Sequence, residues 1–160
     1  MRKDSLVPVW LPWPLPAGWL VTGFGQVGDD RKGVRASVVA LAGPALTQGP
    51  ADLLIIAEEP GVGIGAAFAG LTGPDPGEGF DSGPPHAKAE VAGRPAPLWC
   101  VGAAADRAVY AGEALGNWLW AIAWPAEAGC VIALAELSLI DLRDHELDLP
   151  FGAFSPRLAD

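Results

Sequence analysis

Imidazole, ammonium and carboxylate fall at alternate positions in His86-Ala87-Lys88-Ala89-Glu90. In an extended chain that spacing puts all three on one face, because successive side chains point to opposite sides. A His, Lys and Glu row can serve as a general acid/base set or as an anion site, since imidazole titrates near neutrality. The competing reading is row-wise charge pairing on a wet face. A second pair of carboxylates, Glu58 and Glu59, closes the apolar run Ala51 to Ala57. One of the two must point to the interior side of a sheet, and a buried Glu calls for an arginine partner, for which Arg94 and Arg107 are candidates. An enzymatic reading thus takes His86 as general base, Glu58 or Glu59 as the group that orients it, and Arg107 as the binder of an anionic substrate. Trp118 and Trp120 offer a flat apolar surface, either the lining of a ligand pocket or core.

Other spacings invite chemistry and lack the context it needs. Gly23-Phe24-Gly25-Gln26-Val27-Gly28 has the dinucleotide spelling. That fingerprint requires its third glycine in the first turn of a helix, where the dipole and free N–H groups meet a pyrophosphate. Asp29, Asp30 and Gly33 follow instead, which is hairpin-turn chemistry. Gly61-Val62-Gly63-Ile64-Gly65-Ala66 is a better-placed partial match, but Pro60 interrupts the strand exit and Gly73-Pro74 ends any helix within about two turns. Close packing of a small helix on a sheet explains those glycines more simply. If Asp141 to Glu146 is helical, Asp141 and His145 sit at i and i+4, a feasible two-ligand metal edge. No third ligand accompanies them, so neither metal nor cofactor is assigned.

Composition bounds the rest. The chain has 160 residues, of which 21 are Gly, 16 Pro and 28 Ala, about two fifths together. Reactive polar groups are few: five Ser, three Thr, one Tyr, two His and two Cys. Any catalytic array must therefore draw mainly on carboxylates and arginines. A net charge of −9 repels phosphate backbones, and no run of Lys or Arg creates a local exception, so nucleic-acid binding is not expected. Cys100 and Cys130 stand in no CxxC spacing and read as reduced, mostly buried small apolar residues in a cytoplasmic protein. Pro8, Pro12, Pro14 and Pro16 forbid a continuous helix in the uncharged stretch after Ser5, which argues against a membrane span or export signal.

The elements that must position these groups follow from pattern. Residues 1–18 read as an extended, Pro/Trp-rich strip laid on a single globular domain, 19–160. Trp19 to Val27 and Val34 to Ala42 form a hairpin about a polar turn, Gly28 to Gly33. Ala51 to Ala57 is a buried strand, Gly61 to Leu71 is either one or two helical turns or an irregular strand, and Thr72 to Pro85 is an exposed, mobile loop. His86 to Ala92 and Pro97 to Val101 are short strands about Gly93-Arg94-Pro95. Arg107 to Gly112 and Asn117 to Trp124 form a second hairpin about Glu113 to Gly116. In its second arm Trp118, Trp120, Ile122 and Trp124 share one face and Leu119, Ala121 and Ala123 the other, so that strand is covered on both sides. Cys130 to Leu142 fits strand or helix, and Asp148 to Asp160 is an irregular surface tail. The fold class is α+β, mainly antiparallel β-sheet with hairpins and one or two short helices.

Several segments together, among them Pro12-Trp13-Pro14-Leu15-Pro16, Pro85-His86-Ala87-Lys88, Asp106-Arg107-Ala108-Val109, Trp118-Leu119-Trp120-Ala121 and Ser155-Pro156-Arg157-Leu158, resemble an uncharacterised family of high-GC, actinobacterial-type proteins. The resemblance runs from Val9 to Leu158. Longer members carry a four-cysteine zinc ribbon ahead of this region, which this sequence lacks, so no metal is carried over. The resemblance supplies no catalytic residue.

The reading as a whole is a small, soluble, non-enzymatic binding or partner-docking domain. Its contact surface is the loop Thr72 to Pro85 with His86, Lys88, Arg94 and Arg107, since loops on a rigid sheet are where binding usually sits. Homo-oligomerisation through the Trp-Pro strip is a further possibility.

Overall fold

Two-residue turns join two pairs of strands, and their backbone geometry explains where those strands begin and end. The computed structural model describes residues 7–29, 33–44, 49–102, 104–129, 132, 137–145 and 147–158. Within them the strands are β1 (Trp10–Pro12), β2 (Leu20–Asp29), β3 (Gly33–Pro44), β4 (Pro50–Glu58), β5 (Ala87–Val91), β6 (Arg94–Cys100), β7 (Ala108–Ala114), β8 (Asn117–Trp124) and β9 (Ser138–Asp141). One short helix, α1 (Ile64–Ala69), follows β4.

Leu115 and Gly116 have φ of 53° and 82°, and Ala92 and Gly93 have 50° and 81°. Two consecutive positive φ values match the twist of a tight hairpin turn. The β7–β8 turn is therefore Leu115-Gly116, tighter than the four residues expected from sequence. The β5–β6 turn is Ala92-Gly93, so Arg94 and Pro95 begin β6 instead of forming the turn.

The strands form one curled sheet in the order β1-β9-β5-β6-β7-β8-β4-β3-β2. All pairings are antiparallel except β5 with β9. The curl brings β1 across β3 and β4, where the Ser37 hydroxyl donates to the Pro8 carbonyl at 2.6 Å. Asp141, at the end of β9, accepts the Val9 N–H at 3.1 Å and an Arg143 guanidinium N–H at 2.7 Å. The segment before β1 is thus tied to the sheet through backbone as well as through the buried Val9, Trp10 and Leu11.

β8 lies between β4 and β7 and is apolar on both sides, as its alternation predicts. Leu119, Ala121 and Ala123 face the inside of the curl with Val39, Leu41, Leu53 and Ile55. Trp120, Ile122 and Trp124 face the other side with Val38, Leu54, Ile56 and Val109, and there α1 contributes Ala66 and Ala69.

Gly61 to Leu71 resolves as helix and not as strand. The loop after it is exposed along most of its length yet anchored. Phe80 packs edge-on against Trp99 and Trp118, the Trp118 indole donates to Asp75 at 2.9 Å, and the Trp99 indole donates to the Gly83 carbonyl at 2.7 Å. In the ambiguous stretch Cys130 to Leu142, residues 138–141 are strand, while 130, 131 and 133–136 lie outside the described residues, as do Asp30, Arg31 and Lys32. From Pro150 to Leu158 the chain runs beside β2. The Val21 N–H donates to the Pro150 carbonyl, the Gly152 N–H to Val21 and the Ser155 N–H to Thr22, before a 3-10 turn at Pro156–Leu158.

Candidate functional site

Glu58 is wholly buried, on the same face of β4 as Leu54 and Ile56. Its carboxylate accepts the Ile64 N–H at 2.8 Å, the Trp120 indole N–H at 2.8 Å, and the Gly65 N–H at 3.3 Å. Among the described residues no arginine meets it: three N–H donors hold the group in place of a cation. Burial pushes its carboxyl above the usual range, against the pull of the Gly65, Trp120 and Ile64 bonds, and the nearby Asp75 charge adds to the rise. The amides at the start of α1, where a pyrophosphate would sit in a dinucleotide fold, are therefore already taken. Gly65 packs so closely on the Trp120 indole that a Cβ would overlap it, which is the role the glycines of this segment suggest. The other glycine-rich match, Gly23 to Gly28, lies inside β2 and opens no helix.

Pinned this way, α1 presents Ile64, Ala67 and Phe68, spaced i, i+3 and i+4, along one wall of a cleft of about 440 Å³. Trp124, at the end of β8 and only 4% exposed, forms part of its lining. Two guanidinium groups complete it. Arg107 lies 5.3 Å and Arg157 4.6 Å from the centroid of the Trp124 ring, both within cation–π range. Arg107 is held by Asp106, with contacts of 2.7 and 3.2 Å, and donates to the Phe68 carbonyl. Hydrogen bonding to Arg107 lowers the Asp106 carboxyl below its ordinary range. Arg157 reaches Asp52 at 3.4 Å, and its own N–H is accepted by the Ser155 hydroxyl at 3.2 Å. Asp52 and Asp106 line an adjoining depression, not the cleft itself, which is bordered by four apolar side chains and two arginines. The indole N–H of Trp124 is buried and has no partner among the described residues.

The other residues singled out from sequence are dispersed. His86 is exposed and its Nδ1 accepts the Cys100 N–H at 3.0 Å. Glu59 lies 3.5 Å from Arg35. Neither Glu58 nor Glu59 is thus engaged with His86. Lys88 and Glu90 lie exposed on β5 and line a separate depression with Pro95, away from the cleft that Arg107 enters. Arg94 is exposed at the start of β6. Trp120 is core, and Trp118 is half-buried under the loop after α1. His145 places Nδ1 3.0 Å from the Asp141 carbonyl oxygen, and the Asp141 carboxylate is occupied by Arg143 and Val9, so the pair does not form a ligand edge. Sequence reasoning passed over Arg157 and read Trp124 only as a member of the tryptophan row. The available signal was their rarity: a basic residue in an irregular tail and an aromatic at a strand end.

Residues 1–158 match DUF6758, a family of unknown function. The chain belongs to that family. The DUF6758 match extends from the N-terminal strip through the 3-10 turn, so Arg107, Trp124 and Arg157 all fall within it, and the resemblance to an uncharacterised family is borne out at that level. No curated protein and no solved structure matches the chain. No helix among the described residues is long and apolar enough to cross a membrane.

Proposed function

We propose that this chain is a non-enzymatic binding domain whose site is the cleft formed by Arg107, Trp124 and Arg157, and that it takes an anionic group of a small ligand or partner. The observation that carries the reading is two guanidinium groups stacked on one buried indole at an otherwise apolar cleft. Arg157 engages Asp52 through Nε and, among the described residues, keeps both Nη groups for a further acceptor, which is the natural contribution of a ligand. Arg107 belongs to the binding set expected from sequence, and His86, Lys88 and Arg94 offer competing sites on the β5–β6 hairpin. The enzymatic alternative is weaker because an imidazole whose Nδ1 accepts an amide carries its proton on Nε2 when neutral. A neutral ring so arranged has no free lone pair with which to act as a base. In this reading the strip 1–18 and residues 19–160 work as one unit. We assign it to the cytoplasm, where the free, exposed Cys100 would stay reduced.

Titration of ¹⁵N-labelled protein with benzoate and with benzamide tests the site. Benzoate is expected to shift the Ile64, Ala67 and Phe68 amides and the Trp124 indole, and benzamide to leave them in place. Benzoate shifts gathered at Lys88, Glu90 and Arg94 would move the site to the β5–β6 hairpin. Silence towards benzoate, citrate and phosphate alike would end the binding reading.

A further inference from the structure

We infer that the ligand is an amphipathic monocarboxylate: one planar carboxylate head on Arg107 and Arg157, with a compact apolar tail along Ile64, Ala67 and Phe68. The inference rests on the binding role proposed for this cleft and names what it would hold.

The lining is polarised. One wall is the apolar face of α1, and cationic groups stand at Trp124. A ligand that satisfies both must itself be apolar at one end and anionic at the other. Charge sets how anionic. Arg107 is held by Asp106 and Arg157 by Asp52, so these four groups sum to zero within a chain of net charge −9. A monoanion leaves the locality at −1 and a phosphate dianion leaves it at −2, with only the outward N–H groups of the two arginines to offset it. Shape points the same way. Arg107 already engages Asp106 through Nε and Nη2 and the Phe68 carbonyl through Nη1, so the fork that pairs with a planar carboxylate through two parallel bonds is that of Arg157, whose Nε alone reaches Asp52, with Arg107 adding its charge beside it. A volume of about 440 Å³ suits a small molecule or a single terminal residue.

Two sources carry this chemistry, a free short-chain acid and the C-terminal carboxylate of a polypeptide ending in an apolar residue. Both can be presented to the intact chain by NMR titration: hexanoate, hexanamide, inorganic phosphate, a pentapeptide ending in leucine with a free carboxylate, and the same peptide amidated. Hexanoate or the free-carboxylate peptide is expected to shift the Ile64, Ala67 and Phe68 amides and the Trp124 indole, with the neutral counterpart at least about tenfold weaker. Tighter binding by the peptide assigns the ligand to a protein terminus, and tighter binding by hexanoate to a free acid. Arg157→Gln should weaken the preferred ligand by about tenfold or more, the order expected for one charged hydrogen bond. Ala67→Glu, at an exposed helix position, should abolish binding by placing a carboxylate on the tail wall while leaving the amide spectrum folded. Equal binding of hexanoate and hexanamide, or binding of phosphate alone at these residues, overturns the monocarboxylate class and leaves an occupied cleft. No shift at the cleft with any of the five overturns the class and the binding role together.

Discussion

The two faces of the sheet solve the same problem differently. Inside the curl the strands cover themselves: the sheet rolls until β1 lies on β3 and β4, and the space fills with aliphatic residues such as Leu41, Leu53, Ile55 and Leu119. The opposite face relies on additions that are each too small to seal it by apolar burial: a six-residue helix, an anchored loop and a C-terminal turn. A helix of that length has little stability of its own. Polar contacts hold the additions in place, Glu58 on the start of α1, Asp75 on Trp118 and Arg107 on the Phe68 carbonyl. Where they fail to meet, a cleft remains over Trp124. Complete self-coverage yields a core, and incomplete coverage by short elements yields a place for a ligand.

The largest test of that contrast is Trp120→Ala, which removes both the ring beneath α1 and a donor to Glu58. Loss of a buried Trp costs about 3–5 kcal/mol, and urea unfolding should show it well beyond the cost of Trp118→Ala, whose ring is half-buried. Equal losses would mean that the helix side is not pinned at this point. Gly65→Ala comes next: its Cβ would overlap the Trp120 indole, for a cost of about 1–3 kcal/mol. Gly73→Ala, where a Cβ meets open space, should change stability by no more than about 0.5 kcal/mol, and similar values for the two would contradict the tight seating of α1.

Acid titration sharpens the comparison through two buried carboxyls with opposite slopes. Glu58 is raised above 4.5 in the folded chain, so the folded state keeps this proton to higher pH than the unfolded state does. Its contribution is present in full below that value and is lost as pH rises through the folded pKa. For Asp141, burial works upward, but the Arg143 side chain and the Arg143 and Val9 amides outweigh it and hold the carboxyl below 3.8. That contribution is present above 3.8 and is lost as pH falls through the folded pKa. Unfolding free energies across the acid range should lose the first slope in Glu58→Gln and the second in Asp141→Asn. Asp141→Asn should also lose about 1–3 kcal/mol where the native carboxylate was ionised and bonded, whereas Glu58→Gln, which mimics the neutral form, should cost less above the folded pKa than below it. Slopes that survive the substitutions would reassign the titration. The smallest effect is Arg157→Ala, whose stacking on Trp124 at a part-exposed site is worth about 1 kcal/mol or less, read as a small shift in Tm. A large loss would make Arg157 a structural strut and not a free binding group.

Much of the sheet was legible because it depends on local rules. The alternation Trp118 to Trp124 fixes the faces of β8 by itself, and Glu58 before Glu59 at a strand end leaves one of them inside and one out. Gly93 and Gly116 mark tight turns, although the structure places each turn one residue or more from the expected limits. The candidate site was legible only in part. Arg107 stood out as a cation in a chain poor in polar groups, but its company was misassigned, since none of His86, Lys88 and Arg94 lines the cleft that it enters. The expected arginine partner for Glu58 illustrates why: burial of a carboxylate demands compensation, and nothing in the sequence says whether a cation or backbone amides provide it.

The sequence by itself determined most of the strands from β2 to β8, the two faces of β8 and the neighbourhood of the tight turns, because side-chain alternation and backbone φ preferences act over a few residues; β1 and β9 were not settled by it. Only the tertiary structure decided what meets at Trp124. Arg107 and Arg157 come from segments far apart in the chain, and they converge because the C-terminal stretch is hydrogen-bonded along β2 while α1 is held by Glu58. Such convergence is set by the path of the whole chain around the sheet, which no local spacing encodes.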